Sequence, residues 1–97
     1  MNSEDRELLE LAAKAAGYRV REYAPGKFHC DGGVADGVWM FWNPIDDDGD
    51  AFRLMVKVLQ DETIDWLIWE HGGNVESTAD VRRAITRVAA EIGRRMA

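Results

Sequence analysis

The run Asp46–Asp50 places four aspartates around one glycine in the middle of the chain. Carboxylate oxygens are the ligands that Ca²⁺ and Mg²⁺ prefer, so this run is a candidate metal site. An EF-hand loop that starts at Asp46 would need glycine at position 51 and glutamate at position 57. Those positions hold Ala51 and Lys57. We therefore expect a turn followed by a helix with an acidic first turn, capped by Asp47 or Asp48.

Three side chains could act as soft metal ligands or support a nucleophile: His29, Cys30 and His71. A structural zinc site normally takes four such ligands, and neighbours on a strand point to opposite faces. No catalytic-cysteine motif surrounds Cys30, and no phosphate loop or G-x-S-x-G pattern is present. We expect a half-buried thiol and two surface imidazoles. The prediction is a protein that is not an enzyme, with no catalytic residue, cofactor or metal.

Four tryptophans are many for a chain of 97 residues. Most should belong to the core, because a small domain needs large apolar side chains. Alternation along strands would also send some to an open face, where aromatic rings beside acids form a contact surface for another protein or a second copy. The predicted partner-binding residues are Trp39, Trp42, Trp66, Trp69, Asp46 and Asp47.

The end of the chain is basic, whereas the rest is acidic. Residues 1–76 hold 7 basic and 16 acidic side chains, and residues 77–97 hold 5 and 2, which gives −6 overall. The arginines of the last helix could meet phosphates, stay solvated or pair with acids of the first helix, each exposed pair contributing at most about 1 kcal/mol. The acidic remainder disfavours nucleic acid. These arginines are Arg82, Arg83, Arg87, Arg94 and Arg95.

The composition predicts a single domain over residues 1–97, with 46% hydrophobic and 31% charged residues. One cysteine excludes an internal disulfide and favours a reducing compartment. No apolar run approaches the roughly 18 residues of a membrane span. The polar, acidic start Met1–Asp5 is unlike a signal peptide. We therefore expect a cytoplasmic protein without membrane contact.

Apolar spacing predicts three helices. The first covers Ser3–Ala16 and stops at Gly17, and the last starts at Ser77 or Thr78. The middle helix follows the aspartates and is apolar nearly all round, because Phe52 and Val56 flank its main stripe. Such a helix should be buried on more than one side.

Alternation and turn residues predict several short strands. The run Val38–Trp42 is apolar at every position, so we expect it to be covered on both faces, or to be covered on one face with a partner on the other. A helical turn at Asp61–Trp66 competes with the start of the last long strand. The predicted strands are Tyr18–Tyr23, Phe28–Cys30, Val38–Trp42, Thr63–His71 and the short Val75–Glu76. The fold class is α/β (α+β), a helix–sheet–helix sandwich with three helices and a small, largely antiparallel sheet.

The central run resembles the signature W-N-P-L-x-D-D-G-D-A-x-R-L-x-V-K-L of the phage ABA sandwich domain family. The matching residues are Trp42-Asn43-Pro44, Asp47–Ala51, Arg53-Leu54 and Val56-Lys57, with departures at Ile45, Phe52 and Met55. The segments Leu8–Gly17 and Arg82–Ile92 resemble the family's opening and closing helices. The resemblance implies a helix–sheet–helix sandwich encoded by a phage or prophage, and it implies no activity or catalytic residue.

These observations lead to one main prediction and two alternatives. The main prediction is a non-enzymatic phage or prophage accessory protein that binds a protein in the bacterial cytoplasm, such as a host factor or a defence component. In one form of this prediction, the protein acts against host defence and its acidic face imitates the charge of DNA. The alternatives are a metal-binding domain or enzyme that uses the Asp46–Asp50 turn, and a nucleic-acid binder that uses the arginine face of the last helix.

Overall fold

A computed structural model describes residues 3–32, 37–58 and 77–96. These ranges contain three helices and one three-stranded antiparallel sheet with strand order β1-β2-β3. The predicted α+β class and the helix–sheet–helix order are confirmed. The elements are α1 (Ser3–Ala16), β1 (Arg19–Ala24), β2 (Lys27–Asp31), β3 (Trp39–Phe41), α2 (Asp48–Val58) and α3 (Thr78–Arg95).

The ends of the outer helices follow their sequence signals. After α1, Gly17 adopts a left-handed φ of 76°, and its backbone N–H donates to the Lys14 carbonyl at 3.1 Å. At the start of α3, the Ser77 hydroxyl accepts a hydrogen bond from the Asp80 backbone N–H at 3.2 Å. Ser77 is therefore the N-cap, which settles the choice between Ser77 and Thr78.

The most extensive contact between elements joins α1 to α3. A Cβ added at Gly93 would lie only 2.0 Å from the Leu11 carbonyl oxygen, so the two backbones touch where α3 has no side chain. Both helices carry small side chains that are buried: Ala12, Ala16, Ala89 and Ala90. The helices therefore pack mainly on one another, beside the sheet.

Ion pairs flank the α1–α3 seam. Arg83 pairs with Asp5 at 2.9 Å, and Arg94 lies 3.7 Å from Glu7. The Asp5 carboxylate raises the pKa of the Arg83 guanidinium further above its ordinary value. Of the three roles that the sequence left open for the arginines of the last helix, these two arginines pair with acids of the first helix.

The β1–β2 hairpin closes through Pro25-Gly26, where Gly26 has a φ of 74°. Its backbone N–H donates to the Glu22 carboxylate at 3.0 Å, and the same carboxylate accepts from Arg6 of α1 at 3.0 Å. One side of the sheet packs on the helices: Phe28 and Cys30 join a core with Leu9, Ala12, Tyr18, Trp42, Leu54 and Ala89.

Among the residues that the structure describes, the chain itself does not cover both faces of β3, and a partner on the open face stays a prediction. Phe41 is 70% exposed because it lies opposite His29, on the sheet face that points away from the helices. Met40 lies opposite Cys30 on the helix-facing side and is still 47% exposed.

The expected burial of α2 on more than one side is wrong. In α2, Phe52 and Val56 are 60% and 52% exposed. That helix buries its main stripe and leaves its apolar flank open.

Several predictions lie outside the described residues. They concern the helical turn at Asp61–Trp66, the strands Thr63–His71 and Val75–Glu76, and with them Trp66, Trp69 and His71. Among the helices that the structure does describe, none combines the length and apolar character that a bilayer crossing needs.

Candidate functional site

The turn before α2 is organised by Asn43. Its side-chain oxygen accepts from the backbone N–H groups of Ile45 at 3.0 Å and Asp46 at 3.2 Å. Its backbone carbonyl accepts from the Asp47 N–H at 2.9 Å. An asparagine that satisfies following backbone groups fixes the local chain direction, so the turn is set by side-chain to backbone bonds.

All four aspartates in this turn have a partner on the protein. Asp46 accepts from the Asn43 amide at 3.1 Å, and Asp47 accepts from the Asp50 backbone N–H at 2.8 Å. The second bond makes Asp47 the N-cap of α2, which settles the choice between Asp47 and Asp48. Asp48 instead pairs with Arg82 of α3 at 2.6 Å.

The fourth aspartate, Asp50, is 8% exposed. One carboxylate oxygen accepts from the Asn43 backbone N–H at 2.9 Å, and the other accepts from the Arg53 guanidinium at 2.6 Å. Across residues 3–32, 37–58 and 77–96, no three His, Cys, Asp or Glu side chains are grouped as metal ligands. The carboxylates of this turn are used to hold the turn together.

The second candidate is the sheet surface that faces away from the helices, which we call the outer face. It carries Arg19, Arg21, Tyr23, His29, Asp31, Trp39 and Phe41. Strand pairing arranges them in rows, because Arg19 lies opposite Asp31, which lies opposite Trp39. In the next row, Arg21 lies opposite His29, which lies opposite Phe41.

Three rings of the outer face form one cluster. The Tyr23 and His29 rings stack with centroids 4.1 Å apart and planes 16° apart. Phe41 lies 4.9 Å from His29 and 5.5 Å from Tyr23. Tyr23 is 44% exposed and Phe41 is 70% exposed, so the cluster presents aromatic surface to solvent. Beside it, an open groove of about 490 Å³ separates the hairpin end from the turn before α2.

The other end of the outer face holds two arginines against an indole. The Arg21 guanidinium carbon lies 4.2 Å from the Trp39 ring centroid, and that of Arg19 lies 5.7 Å away. Arg19 also forms an ion pair with Asp31, whose other oxygen accepts from the Gly37 N–H at 2.6 Å. The hydrogen bond from Arg19 holds the pKa of Asp31 below its ordinary value.

The structure separates the predicted partner-binding residues. Trp39 lies on the outer face, whereas Trp42 is 4% exposed and packs edge-on against Tyr18 at 6.0 Å. Trp42 is therefore removed from the candidate surface, since the chain turns towards the helices after β3. Asp46 and Asp47 are exposed but engaged in the turn. Tyr18, which packs against Trp42, has a hydroxyl pKa above its ordinary value, mainly because the side chain is buried.

The sequence did not indicate Tyr23, Phe41 or Arg21 as site residues, and it indicated His29 only as a possible soft metal ligand. Alternation in β1 and β2 was the available signal, because it puts Arg21 and Tyr23 on one face and separates His29 from Phe28. The predicted separation of His29 from Cys30 is confirmed. The thiol is 3% exposed, so it is more deeply buried than predicted.

The arginine face of α3 is largely engaged in ion pairs. Arg82 donates to the Ile45 carbonyl at 2.8 Å in addition to its contact with Asp48. Arg94 and Arg95 both lie within 3.4 Å of Glu91. Guanidinium groups that already neutralise carboxylates gain less from phosphates, so this face is a weak candidate for nucleic acid.

Comparisons of the chain with protein-family models, with curated proteins and with solved structures give no match. The resemblance to the phage ABA sandwich domain family stays a prediction that rests on the residues of the central run.

Proposed function

We propose that this protein is a non-enzymatic binding module that recognises another protein through its outer face. The single observation behind the proposal is the exposed ring cluster of Tyr23, His29 and Phe41. The family resemblance adds a proposed setting, in which a phage or prophage accessory protein acts on a host factor or defence component in the bacterial cytoplasm.

The proposal rests on the free energy that is gained when an exposed aromatic side chain is buried against a partner. Transferring a phenylalanine side chain from water to a packed interface is worth about 1.5–3 kcal/mol when it becomes fully buried. Phe41 retains most of this potential at 70% exposure. Its ring neighbours are already stacked, so a partner would order few additional side chains on binding. Clustered aromatic residues are typical centres of protein interfaces.

The alternative of a metal-binding domain or enzyme gains no support from the turn before α2. Its carboxylates accept hydrogen bonds from the backbone, Asn43, Arg53 and Arg82. A cation would have to displace these donors. Calorimetry with Ca²⁺, Mg²⁺ and Mn²⁺ tests this point, and we expect neither binding heat nor a change in melting temperature.

The proposal is tested by affinity capture from a bacterial lysate with wild type and two variants. Phe41→Ser removes the most exposed ring of the outer face. Phe52→Ser is the matched control, because Phe52 is 60% exposed on α2. We expect wild type and the control to enrich the same protein, and Phe41→Ser to lose it by at least about tenfold, the equivalent of one good hydrophobic contact.

Two outcomes would contradict the proposal. One is equal capture by Phe41→Ser and wild type, which would put the contact elsewhere. The other is no enriched protein with any bait. Sedimentation of purified protein covers the case of a second copy as partner, since self-association through the outer face would disappear in Phe41→Ser and persist in Phe52→Ser.

A further inference from the structure

We infer that the outer face receives an extended acidic segment of a partner protein, with a carboxylate on Arg21 and an apolar side chain against Phe41. This inference rests on the proposed function and names the chemistry of its partner. It is carried by the charge and the register of the outer face.

Arg21 is the cation that supplies the charge. Its guanidinium is held 4.2 Å from the Trp39 ring centroid. Within the described part of the chain, no ion pair to a carboxylate involves Arg21, whereas Arg19 beside it is paired with Asp31. A guanidinium stacked on a ring keeps the N–H groups at its edge available, and these match the two oxygens of a carboxylate.

The strand register sets the spacing that the partner must match. Arg21, His29 and Phe41 are cross-strand neighbours in one row. Each step across a sheet is about 5 Å, so Arg21 and Phe41 are separated by about 10 Å at their Cα atoms. An extended chain rises by about 3.3 Å per residue. An acidic and an apolar residue two to four positions apart would reach both sites.

The observations favour an acidic peptide over a single-stranded nucleic acid. Both could pair with arginines and stack on rings. A nucleic acid carries a phosphate at every step, and beyond this row it would meet Asp46 and Asp47 at the groove beside Phe41. The chain as a whole carries a net charge of −6. A segment with one or two carboxylates matches Arg21 and meets much less of this repulsion than a chain with a phosphate at every step.

Selection from a displayed library of random twelve-residue peptides tests the inference. Wild type is the bait, and Phe41→Ser is used to remove peptides that bind elsewhere. We expect the enriched peptides to combine Asp or Glu with an aromatic or aliphatic residue two to four positions away. A synthetic peptide from the selection should bind less tightly as salt is raised, because its carboxylate contact is screened.

Three variants at arginine positions then assign the charge contact. Arg21→Gln should weaken the synthetic peptide by about tenfold or more, since it removes a charge-assisted hydrogen bond. Arg21→Lys should recover part of the loss because it keeps the charge without the fork. Arg87→Gln is the control, as Arg87 is exposed on α3, away from the outer face. It should leave binding unchanged.

The contrary outcomes separate this inference from the proposed function. Enriched peptides that lack acidic residues and ignore Arg21→Gln would overturn the acidic segment and leave protein binding intact. Failure to enrich any peptide over Phe41→Ser would also overturn it. A ten-residue oligothymidylate is measured in parallel. Binding of this probe that depends on Phe41 and Arg21 would replace the acidic peptide with nucleic acid and would count against the proposed function.

Discussion

The turn before α2 and the outer face differ in how their side chains are used. In the turn, four carboxylates are close in sequence, yet each meets a donor from the protein. On the outer face, rings from three strands meet, and Phe41 remains 70% exposed. The turn has the residue types of a metal site, but its carboxylates make the hydrogen bonds of a structural turn. The outer face is hardly indicated by the sequence, but it exposes aromatic surface that a partner could cover.

Residue type alone therefore does not identify a site in this protein. An aspartate beside backbone N–H groups forms a cap or a turn with little further cost, because these donors need a partner anyway. An exposed aromatic ring has no such local partner. Mutations in the turn should therefore affect folding, and mutations of the exposed rings of the outer face should affect binding.

Gly93→Ala would break the scaffold that both regions share. The added Cβ would lie 2.0 Å from the Leu11 carbonyl oxygen, so α1 and α3 must separate. We expect a loss of about 3 kcal/mol in the free energy of unfolding, the cost of overpacking a tight contact. Urea denaturation measures it.

The control for that substitution is Gly49→Ala in the first turn of α2. There the new Cβ meets the side chains of Asp47 and Arg53 at 3.2 Å or more. The Asp47 oxygen at 3.2 Å is the one that caps α2, so a shift would weaken the cap, whereas alanine favours a helix over glycine. The net change should stay within about 1 kcal/mol. Equal losses for the two glycine variants would contradict the close approach of α1 and α3.

Asp50→Ala would break the turn itself. The substitution leaves the Asn43 backbone N–H without its acceptor and removes the ion pair with Arg53. We expect a loss of about 2 kcal/mol, because a partly buried donor then lacks its partner. Thermal unfolding with Asp46→Ala as the exposed control measures it. Similar melting temperatures for the two variants would argue against the structural role of Asp50.

Asp47→Ala tests whether Asp47 is the N-cap of α2. Removing the acceptor of the Asp50 N–H should cost about 1 kcal/mol, as for other N-cap residues. Asp47→Ser keeps a capping oxygen, so its free energy of unfolding should fall by only about a few tenths of a kcal/mol. An alanine variant as stable as wild type would place the cap elsewhere.

Much of the fold could be predicted from the sequence. Gly17 and Ser77 mark helix ends through local hydrogen bonds, and Pro25-Gly26 marks the hairpin. Burial could not be predicted in the same way, because it depends on which sheet face the helices cover. Trp42 and Phe41 are neighbours with similar apolar character, yet Trp42 is in the core and Phe41 is exposed. The outer face arises from pairing between strands that short-range patterns do not specify.

The Arg19–Asp31 pair should make a smaller contribution, visible at acidic pH. The carboxyl pKa of Asp31 is lower in the folded protein than the ordinary value of 3.8. The stabilisation is therefore present above about pH 4 and is lost as the pH falls through the folded value. Asp31→Asn should flatten the fall in melting temperature below pH 4. An identical pH profile for the variant and wild type would contradict the contribution of this pair.

The most direct test of this division between folding in the turn and binding on the outer face is the free energy of unfolding of Phe41→Ser, measured by urea denaturation. The exposed ring contributes little to folding, so the variant should lie within about 0.5 kcal/mol of wild type. A loss of about 2 kcal/mol or more would instead be the cost of removing a buried aromatic side chain. That result would place Phe41 in the core and contradict the outer face as a free binding surface.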